Sequence, residues 1–272
     1  MSKSHKLASF AKGVVAAALM SAASLASAAI VYVGDAAGHV GKFDTTTSTG
    51  VPLGSVSVGQ AIGLAYNGAT GTVYVLDRNT NKVFGMDGTT GAASLAFNSS
   101  SGFQGGAISG GLLYGTFEGG SGTPAGAYNL AGAQTVTGSA MPAHTHAMGV
   151  DPATGQLYTI GSDNVIRGVS SAGVAGAGLV TAAIAEFADD LDYFGGNFLV
   201  AQFSNARVDL VNGITGAVSP FITAAQIREM GLGSVSGVVV QFAGTTVPEP
   251  GTLVLLAAAG LGMLTTRRKA QK

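Results

Sequence analysis

Thr72-Val-Tyr-Val-Leu-Asp-Arg-Asn-Thr-Asn-Lys-Val-Phe-Gly-Met-Asp-Gly-Thr-Thr-Gly91 packs two strands and two turns into one short stretch. Apolar residues alternate through Thr72–Asp77 and again through Lys82–Met86, the period of a β-strand with one buried face. Between them Arg78–Asn81 is a polar turn. After them Asp87–Gly91 is rich in residues that tolerate left-handed backbone. The same layout returns along the chain. Gln156–Ile160, a turn at Gly161–Asn164 and Val165–Val169 form one copy. Asn197–Ala201 and Arg207–Val211, closed by Asn212–Gly216, form another. Ile30–Val33 with His39–Asp44, and Gly111–Gly115 with Gly126–Leu130, complete the set.

The centres of the first strands are Tyr32, Tyr74, Tyr114, Tyr158 and Leu199, spaced by 42, 40, 44 and 41 residues. A period of about 40–45 residues with about four short strands per unit is the signature of a β-propeller. Most units carry a further apolar strand ahead of the marked one: Ile62–Tyr66, Gly106–Ile108, Ala147–Val150 and Leu191–Phe194. These are expected to lie innermost, where glycine and alanine permit crowding. The first unit lacks such a strand, and Val235–Phe242 is a strand with no unit of its own. Pairing it with Ile30–Val33 closes the first blade from both chain ends and hides two sheet edges. The fold class expected is therefore all-β, a five-bladed propeller, with an open sandwich or β-solenoid as the alternative. Ala224–Met230 is expected to form one or two helical turns, with Thr223 as its cap.

Two segments, Gly149-Val-Asp-Pro-Ala-Thr-Gly-Gln-Leu-Tyr158 and Gly63-Leu-Ala-Tyr-Asn-Gly-Ala-Thr-Gly-Thr-Val-Tyr74, show the unit best. Each is a strand, an Asp- or Asn-led turn ending in Thr-Gly, and a second strand. This resembles a loose propeller repeat of many secreted bacterial proteins. Such propellers serve as binding platforms, structural modules or enzymes, so the fold leaves function open.

The two chain ends read differently from the repeats. Lys3, Lys6 and Lys12 precede the apolar stretch Gly13–Leu25, and Ala26-Ser27-Ala28 has small residues where a signal peptidase needs them. Residues 1–28 are thus expected to be a signal peptide with a helical apolar core, cut between Ala28 and Ala29. At the other end Val-Pro-Glu-Pro is followed by the uncharged run Gly251–Thr266 and then Arg267-Arg268-Lys269. As a helix the run spans about 24 Å, short of a bilayer core of about 30 Å unless the flanking cations snorkel. The basic cluster is the kind that holds a helix end in the cytoplasm.

This order of parts at residues 247–272 resembles the PEP-CTERM sorting signal of Gram-negative bacteria. The resemblance covers about a tenth of the chain. It implies that an exosortase-type membrane enzyme recognises Pro248, Glu249 and Pro250. It also implies that the hydrophobic helix dwells in the inner membrane only until it is removed, and that the product reaches the cell envelope or an exopolysaccharide matrix. An ordinary C-terminal membrane anchor is the alternative. The domain lies between the two signals, at residues 29–246.

Without its ends the chain keeps six Lys and Arg against thirteen Asp and Glu, a net charge near −7 rather than the −1 of the whole sequence. That balance offers no basic footprint for nucleic acid. The absence of cysteine excludes disulfides, thiolate metal sites and cysteine nucleophiles together. The 43 glycines lack a collagen period and point to many tight turns.

Few residues suggest chemistry. His144 and His146 put two imidazoles on one face of an extended segment, either two ligands of a zinc site or a pair of exposed loop histidines. Asp189, Asp190 and Asp192 form the densest acidic patch, a source of oxygens for calcium or a solvated turn. The exposed pair and the solvated turn are the expectations. Tyr66, Phe103, Phe117, Tyr193 and Phe203 either stack on sugars or pack between blades, and packing is expected. No nucleophile elbow or phosphate loop is legible. The functional expectation is a non-catalytic, exported propeller needing no cofactor, with a saccharide or envelope protein as partner. The alternative is a metal-dependent propeller hydrolase or lactonase.

Overall fold

A computed structural model describes residues 29–117, 124–184 and 187–242. The expected signal helix, its cut site, the Pro-Glu-Pro motif, the hydrophobic run and the basic cluster lie outside these residues. Among the described residues twenty strands form five four-stranded sheets. Blade one holds β1 (Ala29–Gly34), β2 (His39–Asp44) and β3 (Thr49–Ser55), with β20 (Gly237–Phe242) beside β1 in the order β20-β1-β2-β3. Blade two runs β4 (Ala61–Asn67), β5 (Thr72–Asp77), β6 (Lys82–Asp87) and β7 (Ala93–Asn98). Blade three runs β8 (Phe103–Ser109), β9 (Leu112–Phe117), β10 (Pro124–Asn129) and β11 (Gln134–Ala140). Blade four runs β12 (Thr145–Val150), β13 (Leu157–Gly161), β14 (Val165–Val169) and β15 (Ala175–Thr181). Blade five runs β16 (Asp190–Phe194), β17 (Asn197–Gln202), β18 (Arg207–Val211) and β19 (Val218–Ile222). The domain is a five-bladed propeller. Among the described residues no helix is long and apolar enough to cross a membrane.

The core lies between blades. Tyr74, Leu76, Val83 and Phe97 of blade two meet Phe103, Leu113, Phe117 and Tyr128 of blade three. Similar clusters join blades one and two, three and four, and four and five. Phe43 of blade one packs edge-on against Phe221 of blade five. Of the repeat's marker residues, Tyr32, Tyr74, Tyr114 and Leu199 are buried. The Tyr32 hydroxyl donates to Gly88 O on the next blade, and burial, with Tyr66 and Asp87 adding to it, pushes its pKa up to about 12. The outermost strands β3, β7, β11, β15 and β19 are largely exposed. With water on both faces they need no apolar alternation, which is why the sequence does not mark them.

The turns repeat as well. Asn67, Asp87, Asp151 and Asn212 each accept at Oδ1 from the amide two residues on. Each loop then ends on a glycine at φ of 70–73° whose N–H returns to the Asp or Asn carbonyl. A second turn type, between the two middle strands of a blade, ends in left-handed backbone at Gly38, Asn81, Asn164 and Ala206. Glycine and asparagine tolerate that region and alanine does not. Ala206→Asn, copying two other blades, is expected to raise stability by about 0.5 kcal/mol, measured as a higher urea midpoint at unchanged slope. Between blades five and one, α1 (Ala224–Glu229) starts at the expected cap, Thr223, which forms a capping box with Gln226.

Candidate functional site

An innermost propeller strand has one edge with no partner strand, so its inward-facing amides need acceptors from elsewhere. Here β16 supplies them. Asp190 Oδ2 accepts from Leu64 N on β4 and Val238 N on β20, both at 3.0 Å. Asp192 Oδ1 accepts from Val150 N on β12 at 3.0 Å and from Tyr193 N at 2.9 Å, and its Oδ2 accepts from Val240 N at 2.8 Å. Two side chains on one strand thus tie blade five to blades one, two and four.

The expectation of a solvated acidic turn fails for these two residues, because both side chains are buried. Burial away from water, partly opposed by the donated hydrogen bonds, pushes the Asp192 carboxyl up to about 7. For Asp190 burial, with Asp192 nearby, drives it well above the usual carboxylate range. Among the described residues no group of three or more His, Asp or Glu side chains is gathered as metal ligands require.

Glycines set the remaining spacing around the axis. A Cβ on Gly63 would lie 2.8 Å from Gly105 Cα, and one on Gly105 would lie 2.4 Å from His146 O. On Gly149 it would meet Asp192 Cα at 2.6 Å, and on Gly237 Leu64 Cγ at 2.7 Å. The crowding expected of the inner strands is present, and at Gly63, Gly105 and Gly149 it is backbone against backbone.

His144, His146, Asp189 and Phe203 lie at the edge where inner strands β12 and β16 begin. His146 sits inside β12 at a bulge between the Thr145–Gly161 and Ala147–Ile160 pairs, so it is a strand residue rather than part of a loop pair. Its ring meets that of His144 edge-on at 4.5 Å and stacks on Phe187 at 5.8 Å. Asp189 Oδ2 accepts from Phe203 N at 3.1 Å. Phe187, Asp189, Phe203 and Ser204 line a cleft of about 380 Å³.

Of the five aromatics named above, Phe103 and Phe117 are buried against Tyr128. Tyr66 stacks on Tyr32 and Tyr193 on Tyr158, as blade packing predicts. Phe203 departs from that expectation, being 45% exposed. Phe187, 52% exposed, carries no sequence signal, since a lone Phe between blades reads as core.

A protein-sorting family described as the PEP-CTERM motif matches residues 246–269. The chain therefore carries a substrate signal for exosortase-type processing, which implies export and membrane-associated sorting. A chain in the crystal structure of a nidogen/laminin complex has a TM-score of 0.56 at 12% identity, covering 78% of this chain and 98% of that one. At that identity the likeness is of fold alone. A protein of unknown function from Bacteroides caccae reaches a TM-score of 0.43 at 13% identity, over 73% of this chain and 74% of that one. No curated protein matches this sequence.

Proposed function

We propose that this chain is an exported, non-catalytic binding module, delivered by its tail to the cell envelope or an extracellular polysaccharide matrix. The observation that carries the reading is the sorting motif at residues 246–269, which begins a few residues after β20 ends. On this reading an exosortase-type enzyme acts at Pro248–Pro250 after the apolar run has stalled in the inner membrane, with Arg267, Arg268 and Lys269 on the cytoplasmic side. The N-terminal 28 residues start export and are cut before Ala29.

The non-catalytic part of the reading draws support from the aspartates. Catalytic carboxylates work through atoms that can reach a substrate. Asp190 and Asp192 are instead buried and occupied by interblade amides. The propeller then acts as a rigid support whose turns and inter-blade connections present a surface.

Replacing Pro248, Glu249 and Pro250 together by alanine is expected to leave the full-length chain in the inner-membrane fraction. The unsubstituted chain should shorten at the tail and move to the outer fractions. Intact-mass analysis of each fraction reads the outcome. Identical processing and location of the two chains would sink the sorting assignment.

A further inference from the structure

Among the described residues, Val51, Leu95, Val174, Leu179, Ile214, Phe187 and Phe203 are the large apolar side chains left exposed. Only two of these are aromatic, and both line the same cleft. Scattered exposed aliphatics are ordinary on a protein surface. Two convergent exposed aromatic rings are not, because each leaves a large apolar face in water.

The ring of Phe187 and the backbone of Phe203 are held in place. Phe187 has one face backed by the His146 imidazole at an interplanar angle of 28°. Phe203 sits in the β17–β18 turn, whose amide at Phe203 is gripped by Asp189. The same turn is fixed from below by buried Gln202, which donates to Asp209 Oδ2 and accepts from Asn205 Nδ2. The Phe187 ring and the turn that carries Phe203 are thus ordered on folding, so a ligand need not bear that part of the entropic cost.

The geometry points to this cleft as a site for a neutral saccharide, with Phe187 and Phe203 as platforms for sugar rings and Ser204 and Asp189 at their polar edges. A pyranose presents C–H groups on its faces and hydroxyls around its rim. That division matches apolar aromatic walls with a hydroxyl and a carboxylate between them. The volume lies at the small end of ligand pockets, roughly 300–1,000 Å³, and suits a short stretch of a chain. The net charge of the domain disfavours an anionic polysaccharide.

The inference rests on the chain being an exported binding module, but it is tested on purified full chain, so failure of sorting and failure of binding are separable. Cellohexaose, maltohexaose, mannohexaose and chitohexaose are titrated by calorimetry, alongside an oligoguluronate as the anionic probe. Saturable binding of at least one neutral hexaose is expected, unchanged in high salt. Phe187→Ala and Phe203→Ala should each weaken it, by up to about tenfold, with an unaltered melting temperature because both side chains are exposed. No saturation by any neutral hexaose would overturn the inference. So would full affinity in both alanine variants, or equal affinity for the oligoguluronate with loss in salt.

Discussion

Replacing Asp190 and Asp192 together by alanine is expected to leave a chain that does not fold. The change strands the amides of Leu64, Val238, Val150, Val240 and Tyr193, all near the axis. Each stranded buried amide costs about 1–3 kcal/mol. Several together approach the whole stability of a domain, about 5–15 kcal/mol. Far-UV and near-UV circular dichroism of the variant beside the wild-type chain reads the outcome. A cooperative transition near the wild-type temperature would refute the role.

Single asparagine variants separate the two residues. Asp190 accepts both interblade amides on Oδ2, so Asp190→Asn keeps an oxygen where it is needed and should stay within about 1 kcal/mol of wild type. Asp192 accepts on both oxygens, and an amide nitrogen then faces a donor whichever way the group turns. Asp192→Asn should cost about 1–3 kcal/mol.

The pH dependence follows from the same burial. Asp192 titrates at about 7 in the native state and near 3.9 in an unfolded chain. Between those values the native state holds more protons, so stability falls as pH rises. The contribution is complete below the unfolded value and lost through the native one. Asp77 and Asp163 act in reverse, held low by hydrogen bonds from Thr80 and Arg167, and their contributions disappear as pH drops below the unfolded value. The highest melting temperature is therefore expected at roughly pH 4–5, with a descent towards neutrality that Asp192→Asn flattens.

Gly105→Ala is the second large effect. The added Cβ would meet His146 O at 2.4 Å, Ala147 Cα at 2.7 Å and Met148 N at 2.9 Å. All three are backbone, so no side chain can swing away and β8 must move off β12. A cost of about 3 kcal/mol is expected for such overpacking, which lowers the melting temperature by roughly 10 °C in a domain of this size. Gly233→Ala is the control. No atom lies within 4 Å of its added Cβ and its backbone is not left-handed, so its midpoint should match wild type.

The sequence carried much of this architecture in local chemistry. The marked tyrosines, the Asp- and Asn-led turns ending in glycine and the Gly- and Ala-rich inner strands are all readable, because each is set by neighbours a few residues away. The outer strands were not, since strands wet on both faces have no required alternation. The burial of Asp190 and Asp192 is not legible locally, because their partners, Leu64, Val150, Val238 and Val240, are 42 to 126 residues distant in the chain. The place of His146 in a strand is equally hidden, since a bulge depends on the partner strand.

By itself, then, the sequence determines the repeat, the five blades and the sorting signal at its end, each a pattern of local polarity, turn residues and spacing. Tertiary structure alone decides what the acidic patch and the histidines do. Burial converts two carboxylates into acceptors for the inner strands, and packing turns His146 and Asp189 into supports for Phe187 and Phe203. Those roles depend on which distant atoms lie within hydrogen-bonding or stacking distance, and only closing the blades around an axis sets that.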